Sequence, residues 1–334
     1  MPDSNPLLKN SLRAAVSANS AASSIANATM HLQTTLEHIV RRQGVGLHSG
    51  QTATISLRPA GADTGIVFRR IDLVKGASSA PVIPARHEYL IDTQLGSTLG
   101  NAEGARVATV EHLMAALWAE GIDNVMIDID GPEVPIMDGS ARPFIDMLRE
   151  AGRKPLNRQR RIMRIVEPVS VREGAKLAEL RPFDGFHVSF EIDFKAQAIG
   201  YQHLSLNLDG AEFARDVASA RTFGLLEEVD ALRAAGLAQG GSLGNSVVVS
   251  GADVLNPEGL RSADEFVRHK MLDAVGDLYL CGFSICGAYR GRYAGHGLNA
   301  RLLEALFAQK DAYVIETLSS GRQYPVWGQA RITA

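Results

Sequence analysis

The sequence predicts an α+β protein of two similar domains, each a β-sheet layer packed with two helices. Three observations carry this expectation. The 334 residues are about two domains' worth of chain. Within each half, alternating apolar segments come grouped ahead of helical ones instead of alternating with them, which favours α+β layers over a doubly wound sheet. A basic stretch without apolar pattern, "RKPLNRQRR" at 153–161, separates the halves as a linker does. The expected organisation is an N-terminal extension at 1–33, a first domain at 34–152, the linker at 153–161 and a second domain at 162–334. The halves share an element order, but no sequence repeat demonstrates duplication.

Each element has its own signal. Residues 1–33 include "SANSAASSIANAT", small and polar without periodicity, so a disordered extension is expected; it lacks the apolar core of a secretory signal. "EHIVRRQGVGLHSGQTATISLRPA" reads as strand, glycine turn, strand, with Ala53, Ile55 and Leu57 on one face. "TGIVFRR" is a short strand. "RVATVEHLMAALWAEG" is a helix with Thr109 as its N-cap and Gly121 as its stop. "NVMIDIDG" alternates Val125, Ile127 and Ile129. "SARPFIDMLREAG" is a helix with Pro143 in its first turn and Gly152 at its end. In the second half "IMRIVEPVSVREG", "KLAELRPF" and "FHVSFEIDF" read as strands. Then follow a helical "EVDALRAAGL", a glycine turn, the strand "SVVVS", a helix at 265–277, a strand at 279–290 and a last helix, "LNARLLEALFAQ".

Composition narrows the function classes. With 46% hydrophobic and 21% charged residues, the chain has an ordinary globular composition. A formal charge of −3 gives no basic footprint for nucleic acid. No apolar run reaches the roughly 18–20 residues that span a bilayer, so at most peripheral membrane contact is expected; a cytoplasmic location and a monomeric state are separate expectations. Cys281 and Cys286 fit neither a CxxC metal pair nor a disulfide framework, and read as buried free thiols.

The chemistry concentrates in a few side chains. In "EFVRHKMLDAVGD" (265–277), Val267, Met271, Ala274 and Val275 fall on one helix face and His269, Asp273 and Asp277 on the other. That stripe leaves two readings open: a solvated polar face, or a His and a carboxylate at i, i+4 closing on one metal ion. Asp277 is two turns from His269, about 12 Å along the axis, and suits orienting a neighbour instead of ligation. His112 lies near a helix N-terminus, where the helix field favours the neutral ring that metal binding requires. Glu111 points about 100° away from it, beside any ion that His112 holds. His296, in "GHG", can project from a turn into a cleft.

Taken together and in order, "GVGLHSG", "LRPA", "TVEHLMAAL", "IDN", "PIMDGSA", "ARTFG", "DEFVRHKMLDAVGDL" and "GHGLN" resemble the UDP-3-O-acyl-N-acetylglucosamine deacetylases, zinc amidases of lipid A biosynthesis in Gram-negative bacteria. The resemblance runs from about residue 35 to about residue 310. It implies zinc held by His112, His269 and Asp273, in an active site between the domains. It makes Glu111 the general base, His296 the acid, Asp277 its orienting partner and Thr222 a donor to the oxyanion. It places Phe223 along the sugar site and Lys270 at the nucleotide part of the UDP-sugar substrate. It also implies an apolar acyl passage in an insert of the second domain, for which Leu226, Val229, Ala238, Leu243 and Val248 are the matching linings. The reaction implied is hydrolysis of the N-acetyl group to acetate and UDP-3-O-acyl-glucosamine, the committed step of the pathway. Two departures stand out: Val166 occupies the place expected for a second nucleotide-binding basic residue, and a metal-proximal cysteine in "DTQLGSTLG" is replaced by glycine or serine.

Two rivals are set against this reading. Two His and one carboxylate also make the iron(II) facial triad of non-haem oxygenases. A non-catalytic nucleotide-sugar binding protein could keep the fold, but it should have lost a ligand or the base, and none is missing.

Overall fold

In the computed structural model, which describes residues 31–74 and 79–319, the alternation of "TATISLRP" becomes strand Thr52–Pro59. Its Ala53, Ile55 and Leu57 turn inward and are buried. The strand lies between Val40–Val45 and Val125–Ile129 in a five-stranded sheet that continues through Ile66–Arg70 to Val82–Pro84. Val125, Ile127 and Ile129 supply the next inward row. A three-stranded sheet of Leu90–Asp92, Thr98–Gly100 and Arg106–Val107 stands beside it.

Two helices complete this half. Helix α1 (Glu111–Ala119) is buried at every residue, so its small and apolar side chains serve packing on all sides. Thr109 does not cap it. The cap position is Val110, and Thr109 sits at φ 56°, its hydroxyl donating to Glu133 at 2.9 Å. Helix α2 (Arg142–Ala151) has Pro143 in its first turn and ends at Gly152, whose φ of 71° suits glycine. It buries Phe144, Ile145, Met147 and Leu148 as one face.

The stretch read as a linker is a strand. Arg153–Gln159 pairs antiparallel with Leu32–Leu36. Its side chains are almost all exposed, so backbone bonding alone defines it and no apolar alternation betrays it. Leu32 and Gln33 belong to that pair, so the ordered body begins before residue 34. The expected disorder of residues 1–30 lies outside the described residues.

The second half is built on a seven-stranded mixed sheet. "IMRIVEPVSVREG" splits around Pro168 into Arg161–Ile165 and Val169–Glu173. Lys176–Arg181, Phe186–Asp193, Tyr201–Asn207, Ser284–Arg292 and Tyr313–Thr317 complete it. Tyr201–Asn207 and Tyr313–Thr317 were missed: the first turns only Leu204 and Leu206, half-buried, to the core, and the second fully buries none of its side chains. The described residues of this half hold four α-helices, not two: α3 (Gly210–Asp216), α4 (Leu226–Ala234), α5 (Glu265–Tyr279) and α6 (His296–Ala308). The first has a full capping box between Asp209 and Glu212. Helix α5 runs two residues past Asp277, and the following strand starts at Ser284, not 279. α4 belongs to an insert with its own three-stranded sheet, Phe223–Leu225, Val247–Ser250 and Asp253–Val254. Both cysteines are buried free thiols.

Candidate active site

The site exists because α1 and α5, one from each half, press together. Their contact is permitted by Gly276, where a Cβ would lie 2.0 Å from the Glu111 carbonyl oxygen. This approach brings His112 from α1 against His269 and Asp273 on α5. His112 Nε2 is 3.5 Å and His269 Nε2 3.3 Å from Asp273 Oδ1. All three residues are buried, and their ligand atoms lie within 4.8 Å of one another. The solvated-face reading of the α5 stripe is therefore overturned: His269, Asp273 and Asp277 are 2%, 3% and 3% exposed.

The donor set fits a divalent cation. Asp273 Oδ1 is buried without a hydrogen-bond partner while facing two imidazole nitrogens, an arrangement costly unless something positive completes it. His112 Nδ1 is also buried without a partner. The Ala220 carbonyl can only accept, so its 3.0 Å contact with His269 Nδ1 fixes the proton there and presents Nε2 to the cluster. Burial lowers the His269 pKa to about 4, so the ring is the neutral ligand form. Burial pushes the Asp273 carboxyl up, but His269, Lys270, His112 and His296 together hold it well below its usual range. Lys270 Nζ takes the other oxygen, Oδ2, at 2.6 Å.

Beside this cluster lies a second one. Asp277 is too far along α5 to join the donors; its carboxylate accepts instead from His296 Nδ1 at 2.9 Å, Asn299 Nδ2 at 2.8 Å and Ser97 Oγ at 2.6 Å. Asn299 Oδ1 in turn accepts from the Tyr289 hydroxyl at 2.6 Å. His296 is not in a turn but is the first residue of α6, with Gly295 at the cap. Burial lowers its pKa, yet Asp277, Glu111 and Asp273 outweigh burial and raise it to about 9. Glu111 is buried at the start of α1, where burial raises its pKa against the pull of His296 and His112. Its Oε2 accepts from the Ser97 backbone N–H at 2.9 Å. A buried carboxylate made basic and a buried imidazole made cationic, each within electrostatic reach of the other, form an arrangement able to accept and to give a proton.

Comparison with known proteins decides the family. Residues 33–308 match the family model of LpxC, UDP-3-O-acyl N-acetylglycosamine deacetylase. The chain belongs to this family. A UDP-3-O-acyl-N-acetylglucosamine deacetylase of Phenylobacterium zucineum is 51% identical over 276 residues, 83% of this chain and 93% of the relative. Enzymes of the same name from Shewanella oneidensis and Pseudoalteromonas atlantica are 46% and 45% identical, over 89% and 88% of this chain and 96% of each relative.

Within this deacetylase fold the two clusters open into a cleft of about 1140 Å³. Thr222 and Phe223 form part of its wall. The Thr222 backbone is pinned on both sides: its N–H donates to Gly139 O at 2.8 Å, and its carbonyl accepts from Val247 N at 2.8 Å. Phe223 stands edge-on to His269, ring centroids 6.2 Å apart, and packs on Phe266. Lys270 lines the cleft too, although its ammonium is committed to Asp273.

Other assignments do not converge there. Leu226, Val229, Ala238, Leu243 and Val248 are absent from the cleft wall, whereas Leu47, Leu95 and Leu225 are part of it. Leu226 and Leu243 are 47% and 41% exposed. Val166 is also outside the cleft, its N–H bonded to Ala312 O at 2.9 Å. Positive charge comes to the cleft from Lys176, Lys195 and Arg301, which the sequence reading missed. Lys176 begins a strand whose alternation drew attention only to its apolar residues. Asn299 and Tyr289 were missed as well, and Ser97 was noticed only as one of two residues standing where a cysteine is expected; isolated polar residues in apolar surroundings carry no spacing signal.

Proposed function

We propose that this deacetylase removes the acetyl group of UDP-3-O-acyl-N-acetylglucosamine at a zinc ion held by His112, His269 and Asp273. One water is consumed, and acetate and UDP-3-O-acyl-glucosamine are released, the committed step of lipid A biosynthesis. The observation that carries the metal assignment is Asp273 Oδ1, buried and unpaired between two imidazoles. When bound, zinc supplies a Lewis acid for the acetamide carbonyl and acidifies a water towards a pKa of about 7.

The chain's own residues account for the proton traffic. Glu111, held by the Ser97 N–H, takes the proton of the attacking water. His296 keeps Nδ1 on Asp277, so its Nε2 proton is the one available to the leaving sugar nitrogen. The Thr222 hydroxyl donates to the developing oxyanion. Lys270 neutralises the outer oxygen of Asp273, and Phe223 borders the sugar. Lys176, Lys195 and Arg301 offer the charge that a nucleotide diphosphate needs. The acyl chain leaves past Leu225 towards the insert. A monomeric state and a cytoplasmic location belong to the same proposal. Among the described residues no helix is long and apolar enough to cross a membrane.

The test is acetate release from UDP-3-O-acyl-N-acetylglucosamine with and without a chelator, with metal content measured and zinc or iron(II) added back. We expect chelation to abolish turnover and zinc to restore it, and Glu111→Ala to keep the metal while losing turnover. Full activity after complete metal removal, or oxygen uptake in place of acetate release, would refute the proposal.

A further inference from the structure

We infer that Ser97 is a positioning residue that fixes the general base of one half against the general acid of the other. The inference rests on the acid–base reading above. Ser97 lies in the turn between strands Leu90–Asp92 and Thr98–Gly100, in the first half, and is 1% exposed. Its backbone is tied twice to the start of α1: its N–H donates to Glu111 Oε2 at 2.9 Å, and its carbonyl accepts from Val110 N at 3.2 Å. Its hydroxyl points the other way, across to the second half, and donates to Asp277 Oδ1 at 2.6 Å. The turn is pressed against the base, since a Cβ on the preceding Gly96 would lie 3.1 Å from Glu111 Oε1.

The three donors to Asp277 divide the labour. Asn299 and His296 Nδ1 both bond Oδ2, at 2.8 and 2.9 Å. Oδ1 has Ser97 at 2.6 Å and only a longer 3.1 Å contact to His296. Ser97 therefore sets the rotation of the carboxylate, and the carboxylate sets the imidazole. Because the turn also holds Glu111, base and acid are registered to one residue across the α1–α5 contact. A buried oxygen deprived of its donor has no water to replace it. The backbone bond to Glu111 survives any side chain, so substitution at Ser97 removes the Asp277 tie alone.

The experiment measures kcat, KM and zinc content for Ser97→Ala, Ser97→Cys and Ser97→Thr, and for Asp277→Asn alone and combined with Ser97→Ala. Ala and Cys lack a strong donor and should lower kcat about tenfold, with KM and zinc unchanged. Thr keeps the hydroxyl and should stay within about threefold of wild type. In the Asp277→Asn background, Ser97→Ala should cost much less than it does alone, because the two act through one contact. Wild-type kcat in Ser97→Ala, Thr no better than Ala, full additivity with Asp277→Asn, or zinc loss would each overturn the inference. Asp277→Asn separates the two levels: wild-type kcat there removes the acid–base reading itself, whereas an impaired Asp277→Asn beside an unimpaired Ser97→Ala removes only the role of Ser97.

Discussion

Helix α5 and the insert that precedes it carry neighbouring parts of one cleft under opposite constraints. Every residue of α5 except Arg268 and Lys270 is buried. Helix α4 of the insert buries none. The insert is joined to the first half by a few backbone bonds, Gln239 N to His48 O at 3.1 Å and Gly240 N to Leu47 O at 3.0 Å among them. A polar side chain on the sealed helix must have a partner, so its stripe of His and Asp has to be explained by chemistry. On the open helix an apolar side chain can face solvent at little cost, and its identity says little about what it touches.

The sharpest way to break this contrast is at the seal. A Cβ at Gly276 meets the Glu111 carbonyl at 2.0 Å, and backbone cannot step aside as a flexible side chain does. Gly276→Val should cost about 3 kcal/mol or more of unfolding free energy and remove the metal site with it. Urea denaturation would show this, and an unchanged midpoint would mean that α1 and α5 separate freely. Next in size is Asp273→Ala. It removes one of the three candidate ligands and leaves Lys270 without its carboxylate, so metal retention and turnover should both collapse. Metal analysis after gel filtration checks it; one tightly held zinc per chain would remove Asp273 from the ligand set.

The same contrast explains what could be read from sequence. Helical spacing put His269 and Asp273 on one stripe but left a solvated face and a metal pair both open. Their burial against α1 decided between them. Helix α1 was legible from its run of small and apolar residues. Ala53, Ile55 and Leu57 were legible by alternation, because one face of their strand is buried. Arg153–Gln159 was illegible because backbone pairing holds it while its side chains face outward, and Tyr201–Asn207 because it turns only Leu204 and Leu206, half-buried, to the core. The tie from Ser97 to Asp277 was illegible for another reason. It joins residues 180 positions apart, which no local pattern encodes. Thr109 misled because a good capping residue was present but its backbone, at φ 56°, turns it towards Glu133 instead.

A smaller effect probes the sealed region without opening it. With Asp277 beside it, His296 is protonated below a pKa of about 9. In the proposed mechanism the protonated ring is the acid, which predicts activity below that pKa and a fall as pH rises through it. Asp277→Asn removes the negative charge that opposes burial, so the alkaline limb of kcat/KM should move to lower pH. A bound dication lowers the limb in both proteins, and the readout is therefore the difference between them. Zinc content should be equal in the two. An unshifted limb would show that this limb belongs to another group.

The smallest effects belong to the open region, and there the prediction is a ranking. Leu225 is half-buried and lines the cleft, whereas Leu226 and Leu243 are largely exposed and outside it. Truncating an exposed leucine removes little buried surface, so Leu226→Ala and Leu243→Ala should change stability by no more than about 0.5 kcal/mol. If the acyl chain follows the cleft as it stands, Leu225→Ala should lower kcat/KM for a long-chain substrate by about tenfold, roughly the burial of one or two methylenes. A substrate with a short acyl group that does not reach Leu225 should be nearly unaffected, which separates acyl contact from general damage. The exposed positions should stay within about twofold for both substrates. The reverse order, with Leu226→Ala or Leu243→Ala the more harmful on long chains only, would show that the insert closes over the acyl chain when substrate binds. The five linings expected from the sequence would then be correct for that closed state.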